Sequence, residues 1–309
     1  MSDIQISRRH AMMIGASLPM TLAAPVLAQT AAPQGEKPAF AGRAHSLSLG
    51  QFQIWTILAG SGMREDPIAT FGLNADKAEF AQVSAQNFIP TDRAGSSMTP
   101  TLVRSGDALI LFDTGMVPAD TVAALAEAGF APDQISHVVL THMHGDHIGG
   151  LMQGETPTFP KAQLIVPRAE NDYWAANANE AYTAKVKPLI DKARQIGDGD
   201  EIVPGIIAEA APGHTPGHTT YLLDSGGAKL LITGDSFNHY VYSVQRPDWQ
   251  VRFDMDKAKG IQTRKAVLVR LANERIPFIG YHMPFPAVGF IAPDSAGSYR
   301  YVPATYQFG

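Results

Sequence analysis

The sequence predicts a layered α/β domain. Three observations carry that expectation: apolar runs of strand length recur along the chain, helical patterns stand between several of them, and polar clusters fall where the apolar runs end. A chain of 309 residues, 45% hydrophobic and 17% charged, is long enough to bury such a core and lacks the composition of a disordered or collagen-like protein. No short-period repeat interrupts the pattern.

The elements follow in order. The opening MSDIQISRRHAMMIGASLPMTLAAPVLAQT has an early Arg8-Arg9 pair, an apolar stretch from Ala11 to Ala24 and small residues that suit cleavage after Ala28. It resembles a twin-arginine export signal, so residues 1–28 are expected to be a signal peptide and the location periplasmic. Residues 29–42, rich in Pro, Ala and Gly, read as a flexible linker, and 43–309 as a single catalytic domain. GSGMREDPIATFG has no secondary-structure rhythm and is expected to form part of a lid. ALILFDTG (108–115) reads as a buried strand ending in a turn, and VPADTVAALAEAGF as a helix with Pro118 at its start and Gly129 as its stop. HVVLTH and AQLIVP read as strands, with helical patterns over 168–178 and 181–194. In the second half GIIAEAAPG, TTYLLD and KLLITGD read as strands, MDKAKGIQTRKAVLVRLANER as a long amphipathic helix, and PFIGYH as a last core strand.

Composition narrows the function classes. A net charge of −5 without a basic run argues against nucleic acid or an anionic membrane as partner. No stretch after the signal is long and apolar enough to span a bilayer. There is no cysteine, so no thiolate serves as nucleophile or metal ligand and no disulfide supports the fold.

The chemistry gathers in four clusters. THMHGDHIGG (141–150) puts His142, His144, Asp146 and His147 within six positions, with Gly145, Gly149 and Gly150 allowing the tight backbone this crowding demands. Imidazole nitrogen with carboxylate oxygen is a ligand set for zinc or a similar borderline ion. APGHTPGHT adds His214 and His218, LLITGDSF adds Asp235, and FIGYHMPFP adds His282. A Gly-Asp after a strand is more often a turn, and a lone His beside aromatics more often a core residue, so the weight lies in the four clusters together.

In this order the motifs resemble the metallo-β-lactamase superfamily, from LFDTG at 111 to His282. The resemblance implies an αββα sandwich, two mixed β-sheets flanked by helices, with two metal ions, most simply zinc, in a cleft. It implies that His142, His144 and His218 hold one ion and Asp146, His147 and His282 the other, with Asp235 bridging. Asp113 is similar to the family's ligand-orienting aspartate, and His214 matches a loop position that is not usually a ligand. His137 is expected to be structural, His45 superficial, and His239 at the surface or in packing, with a place in the pocket as the alternative.

Two bridged ions lower the pKa of water between them, so the implied reaction is hydrolysis by a bridging hydroxide, with Asp146 assisting proton transfer and Asp235 spanning the ions. Asp235 and the missing cysteine point to the lactonase, phosphotriesterase and glyoxalase II side of the superfamily. The segments GDSFNHYVYSVQRPDW and YHMPFPAVGFIAPDSAGSYRYVPATY, with Trp174, resemble the methyl parathion hydrolase group and its lactonase and arylesterase relatives. That narrower resemblance implies a small-molecule lactone, aryl ester or organophosphate triester as substrate, a homodimer, and an apolar pocket, for which Phe88, Trp174, Phe237 and Phe253 are the candidate walls. The alternatives on this scaffold are a β-lactamase or thioester hydrolase, and a mononuclear-iron persulfide dioxygenase, which omits ligands of the His147 type. A binding module with a decayed site has no physical need for clustered imidazoles.

Overall fold

The computed structural model describes residues 40–294 and 297–308. The expected signal peptide and most of the expected linker lie outside them. The linker's last residues do not: Phe40–Ala41 form a short strand whose backbone pairs with Ala44–Leu49.

Two sheets stack face to face. The first runs in the order Phe40–Ala41, Ala44–Leu49, Phe52–Ile57, Thr101–Ser105, Ala108–Phe112, His137–Val139, Gln163–Pro167 and Arg194–Ile196, antiparallel at first and parallel from Ala108–Phe112 onward. The second runs Glu201–Val203, Ile206–Ala210, Thr219–Ser225, Ala228–Ile232, Phe278–Ile279, Val288–Pro293 and Tyr299–Pro303, with one parallel pair between Ala228–Ile232 and Phe278–Ile279.

The strand Ala108–Phe112 shows why apolar runs become strands here. Its side chains alternate, Leu109 and Leu111 entering the layer beneath the helices and Ile110 and Phe112 the layer between the sheets. Phe112 meets Tyr221 of the second sheet at 5.0 Å, and the Tyr221 hydroxyl donates to the Leu140 carbonyl at 2.7 Å. Helix Pro118–Glu127 covers the outer face of the first sheet through Ala124 and Leu125, and helix Lys257–Glu274 covers the second through Leu268 and Leu271. Asp256 caps the latter by accepting from the Lys259 N–H. These layers are the expected αββα sandwich.

Several element expectations are corrected. Residues 181–194 are not one helix: Pro188 lacks the N–H that a helix interior needs, and the segment breaks into short turns at Tyr182–Val186 and Ile190–Lys192 before entering the sheet at Arg194. PFIGYH is not the last core strand, because Val288–Pro293 and Tyr299–Pro303 extend the sheet beyond it. GSGMREDPIATFG does carry secondary structure. Gly60–Glu65 pairs with Arg93–Met98 as a separate two-stranded ribbon, and Ile68–Phe71 is a helical turn. The ribbon and helix Lys77–Gln86 share a small aromatic core of Phe71, Phe80, Tyr242 and Trp249. Among the described residues no helix is long and apolar enough to cross a membrane.

Candidate metal centre

The polar clusters meet at one edge of the sandwich because each follows a strand of one sheet or the other. Asp113 follows Ala108–Phe112, the His142 loop follows His137–Val139, His214 follows Ile206–Ala210, Asp235 follows Ala228–Ile232, and His282 follows Phe278–Ile279. The strands are anchored by burial worth about 1.5–3 kcal/mol for each large apolar side chain. That is enough to hold Asp113 in the left-handed region at φ 60°, a conformation costing about 1–3 kcal/mol. Gly149 and Gly150 are required for close approach, since a Cβ there would lie 2.1 Å from the Met116 carbonyl oxygen and 2.0 Å from that of Thr114. Gly145 is under no such constraint.

Three ligand groups result: His142, His144 and His214; His142, His147 and Asp235; and Asp146, His147 and His282, the ligand atoms in each lying within 4.8 Å of one another. Asp235 stands between them, with Oδ1 3.2 Å from His147 Nε2 and Oδ2 3.2 Å from His214 Nε2 and 3.1 Å from His282 Nε2. The backs of the rings are held by protein oxygens. His142 Nδ1 donates to Thr141 Oγ1 at 3.0 Å, His147 Nδ1 to Asp113 Oδ2 at 2.8 Å, His214 Nδ1 to Asp254 Oδ1 at 2.9 Å and His282 Nδ1 to the Ser97 carbonyl at 2.7 Å. Each bond turns Nε2 toward the cluster, where it can present a lone pair to a cation. Asp113 also accepts from the Thr141 N–H and hydroxyl, both at 2.8 Å, which ties the loop to the strand end.

The structure exchanges the expected roles of His214 and His218. His218 donates from Nδ1 to the Ala211 carbonyl and accepts at Nε2 from the Asp235 N–H, each at 3.0 Å, so both of its ring nitrogens are committed to backbone. It positions the Asp235 loop and has no lone pair to offer an ion. The imidazole that faces the cluster is that of His214, 3.0 Å from His144 Nδ1.

Electrostatically the cluster draws positive charge. Burial alone would raise Asp235, but the imidazoles of His282, His147 and His214 hold it well below the usual carboxylate range. Burial would lower His214 and His282, yet Asp235 and its neighbouring carboxylates keep them at about 9 and about 10. Burial and the neighbouring His214 push His144 down to about 3.

Above the cluster lies a cavity of about 360 Å³, walled by Arg64, Phe71, Met116 and Phe253, with Asp146, Asp235 and His282 exposed to it. Of the four aromatics expected as walls, Phe253 takes that place. Trp174 lies behind the ligands, its ring 6.2 Å from His144 and its indole N–H donated to Glu170. Phe237 is fully buried against Phe278. Phe88, 96% exposed, sits on an adjoining groove instead. His239 is buried and stacked on Tyr242 at 4.3 Å, and not at the surface.

Three contributors were not visible in the sequence. Glu170, fully buried, accepts from the Met143 N–H and the Trp174 indole at Oε1, and from the Thr215 hydroxyl and the Gly217 N–H at Oε2. It thereby joins the loops that carry His142, His144 and His214. Asp254, behind His214, is paired with buried Arg264. The one sequence signal for Glu170 is a carboxylate in the first turn after the apolar run LIVP.

Residues 99–270 fit the family model described as the metallo-beta-lactamase superfamily. The chain belongs to that superfamily. Within it, the chain is 31% identical over 165 residues to an N-acyl homoserine lactonase of a Bacillus species, covering 52% of this chain and 61% of that relative. The chain thus spans about three fifths of the length of that curated relative. Among solved structures, AidC, a dizinc quorum-quenching lactonase, superposes with a TM-score of 0.78 at 24% identity over 85% of this chain and 98% of AidC. The hydrolase AbOPH superposes with a TM-score of 0.77 at 23% identity over 87% and 99%. These two share the superfamily fold with this chain.

Proposed function

We propose that this member of the superfamily is a metal-dependent hydrolase of lactones, with aryl esters and organophosphate triesters as the wider substrate class. One observation carries the metal. Nε2 of His142 is buried with no hydrogen-bond partner, and Nε2 of His147 and Oδ1 of Asp235, buried 3.2 Å apart, are not aligned to bond each other. Leaving each unsatisfied costs about 1–3 kcal/mol, which a cation among them would offset. The donors are nitrogen and oxygen without thiolate, which suits zinc.

In this reading His142, His144 and His214 hold one ion, Asp146, His147 and His282 a second, and Asp235 lies between. Divalent ions bound there supply a water of lowered pKa and an electrophilic contact for a carbonyl or phosphoryl oxygen. The chain's residues do the rest. Asp113, Thr141 and Asp254 fix which ring nitrogen faces the ions. Asp146 opens onto the cavity, where its carboxylate takes up and returns a proton. Phe71, Met116 and Phe253 exclude water around the apolar part of the substrate.

The lactone preference is supported by the relative described as an N-acyl homoserine lactonase. A panel of N-hexanoyl homoserine lactone, dihydrocoumarin, p-nitrophenyl acetate, methyl paraoxon and a chromogenic cephalosporin, offered to zinc-loaded protein, tests it. The lactones are expected to give the highest kcat/KM. Turnover of the cephalosporin alone would overturn the proposal.

A further inference from the structure

The cavity wall carries one permanently cationic side chain that the hydrolytic reading leaves without a task. Arg64 lies on the ribbon strand Gly60–Glu65, opposite Ala94, and reaches the same cavity as Asp146, Asp235 and His282. It is half-buried, and its guanidinium sits over the Phe253 ring, 4.8 Å from the centroid. Among the described residues that ring is its contact: it makes neither an ion pair nor a side-chain hydrogen bond.

A ring contact holds the guanidinium in place and satisfies none of its five N–H donors. Of the neighbouring walls, Phe71, Met116 and Phe253 offer those donors nothing, and the polar side chains of Ser96 and Asn238 are turned to His282 and Asp235 instead. Asp146 and Asp235 are engaged with imidazoles and would be neutralised further by bound cations. Water satisfies the donors in the open cavity, and a substrate that displaces this water must bring acceptors of its own. A planar fork of N–H donors is matched best by a carboxylate.

We propose that Arg64 makes the cavity selective for esters or lactones that carry a carboxylate away from the scissile carbonyl. The anion pairs with the guanidinium while the reacting carbonyl lies over the ligand cluster. This rests on the hydrolase reading above. Arg64 acts as a specificity residue, placed by Phe253, and takes no part in bond cleavage.

The test compares 4-acetoxybenzoate with neutral 4-acetoxybenzamide, which share the scissile acetyl ester, on zinc-loaded wild type, Arg64→Met and Arg64→Lys. Both substrates meet the same folded molecules, so any loss of folded protein cancels in the ratio of their kcat/KM values. That ratio is expected to fall roughly tenfold in Arg64→Met, mainly through KM of the carboxylate, and to be partly kept in Arg64→Lys. An equal ratio in all three overturns the inference and leaves the hydrolase reading standing. If wild type cleaves neither ester nor any lactone, the hydrolase reading fails, and 4-hydroxybenzoate binding then decides for Arg64. A larger thermal shift with wild type than with Arg64→Met supports the anion site, and equal shifts reject it.

Discussion

His214 Nδ1 donates to Asp254 Oδ1 at 2.9 Å, and the other oxygen of Asp254 is held by the buried guanidinium of Arg264. This relay fixes the tautomer that leaves His214 Nε2 free to face His144 and Asp235. Removing the acceptor charge loosens the ring without touching an ion. Asp254→Asn is expected to weaken zinc affinity by about 10–100-fold, measured by competition with a chromogenic chelator.

The two histidines of APGHTPGH separate by the same logic. His214→Ala is expected to lose one of two zinc equivalents and most of the activity, because it deletes a group that faces the ions. His218→Ala removes a brace between the Ala211 carbonyl and the Asp235 N–H, so it is expected to keep its metal content while losing stability by about 1–3 kcal/mol. Elemental analysis alongside urea denaturation distinguishes them; equal metal loss in both variants would contradict the assignment.

Much of this centre is legible in the sequence, for definite reasons. His142, His144, Asp146 and His147 are neighbours in one motif, and Asp235 and His282 each close an apolar run. His214 and His218 were transposed because both lie in one Pro/Gly loop, and only the course of the backbone decides which ring turns inward. Glu170 and Asp254 are invisible there because the ligand loops they hold lie 27 to 47 residues away along the chain. The strands Ala44–Leu49 and Phe52–Ile57 escape a search for unbroken apolar runs because they alternate, burying Leu47, Leu49, Phe52 and Ile54 between polar neighbours. Pocket aromatics are hardest of all. Trp174 and Phe253 have the same chemistry, and only packing sends one behind the ligands and the other onto the cavity.

Glu170 accepts four hydrogen bonds, three of them from the two ligand loops and one from Trp174 on its own helix. Glu170→Gln replaces one accepting oxygen with a donor that faces other donors. The expected loss is about 2–4 kcal/mol of unfolding free energy. Denaturant titration measures it, and a change under about 0.5 kcal/mol would show that the loops do not depend on this carboxylate.

His239 adds a pH dependence apart from the ligand cluster. Burial lowers its pKa to about 3 from 6.5, and its Nδ1 accepts from the Val241 and Tyr242 N–H groups, which requires the neutral ring. The unfolded chain takes up the proton first. The stability His239 contributes is therefore fully present above about pH 6.5 and is lost progressively as pH falls toward 3. His239→Gln is expected to show a shallower decline than wild type between pH 6.5 and 5 in unfolding free energy; parallel curves would contradict the buried neutral imidazole.

Buried imidazoles and carboxylates from both sheets would hold the cations on which the proposed hydrolysis depends. Adding zinc stepwise to chelator-stripped protein, while following the opening of N-hexanoyl homoserine lactone, tests it directly. No turnover is expected without metal, with activity rising to a plateau near two equivalents per chain. Full turnover by the stripped protein, or none at any zinc loading, would contradict the account.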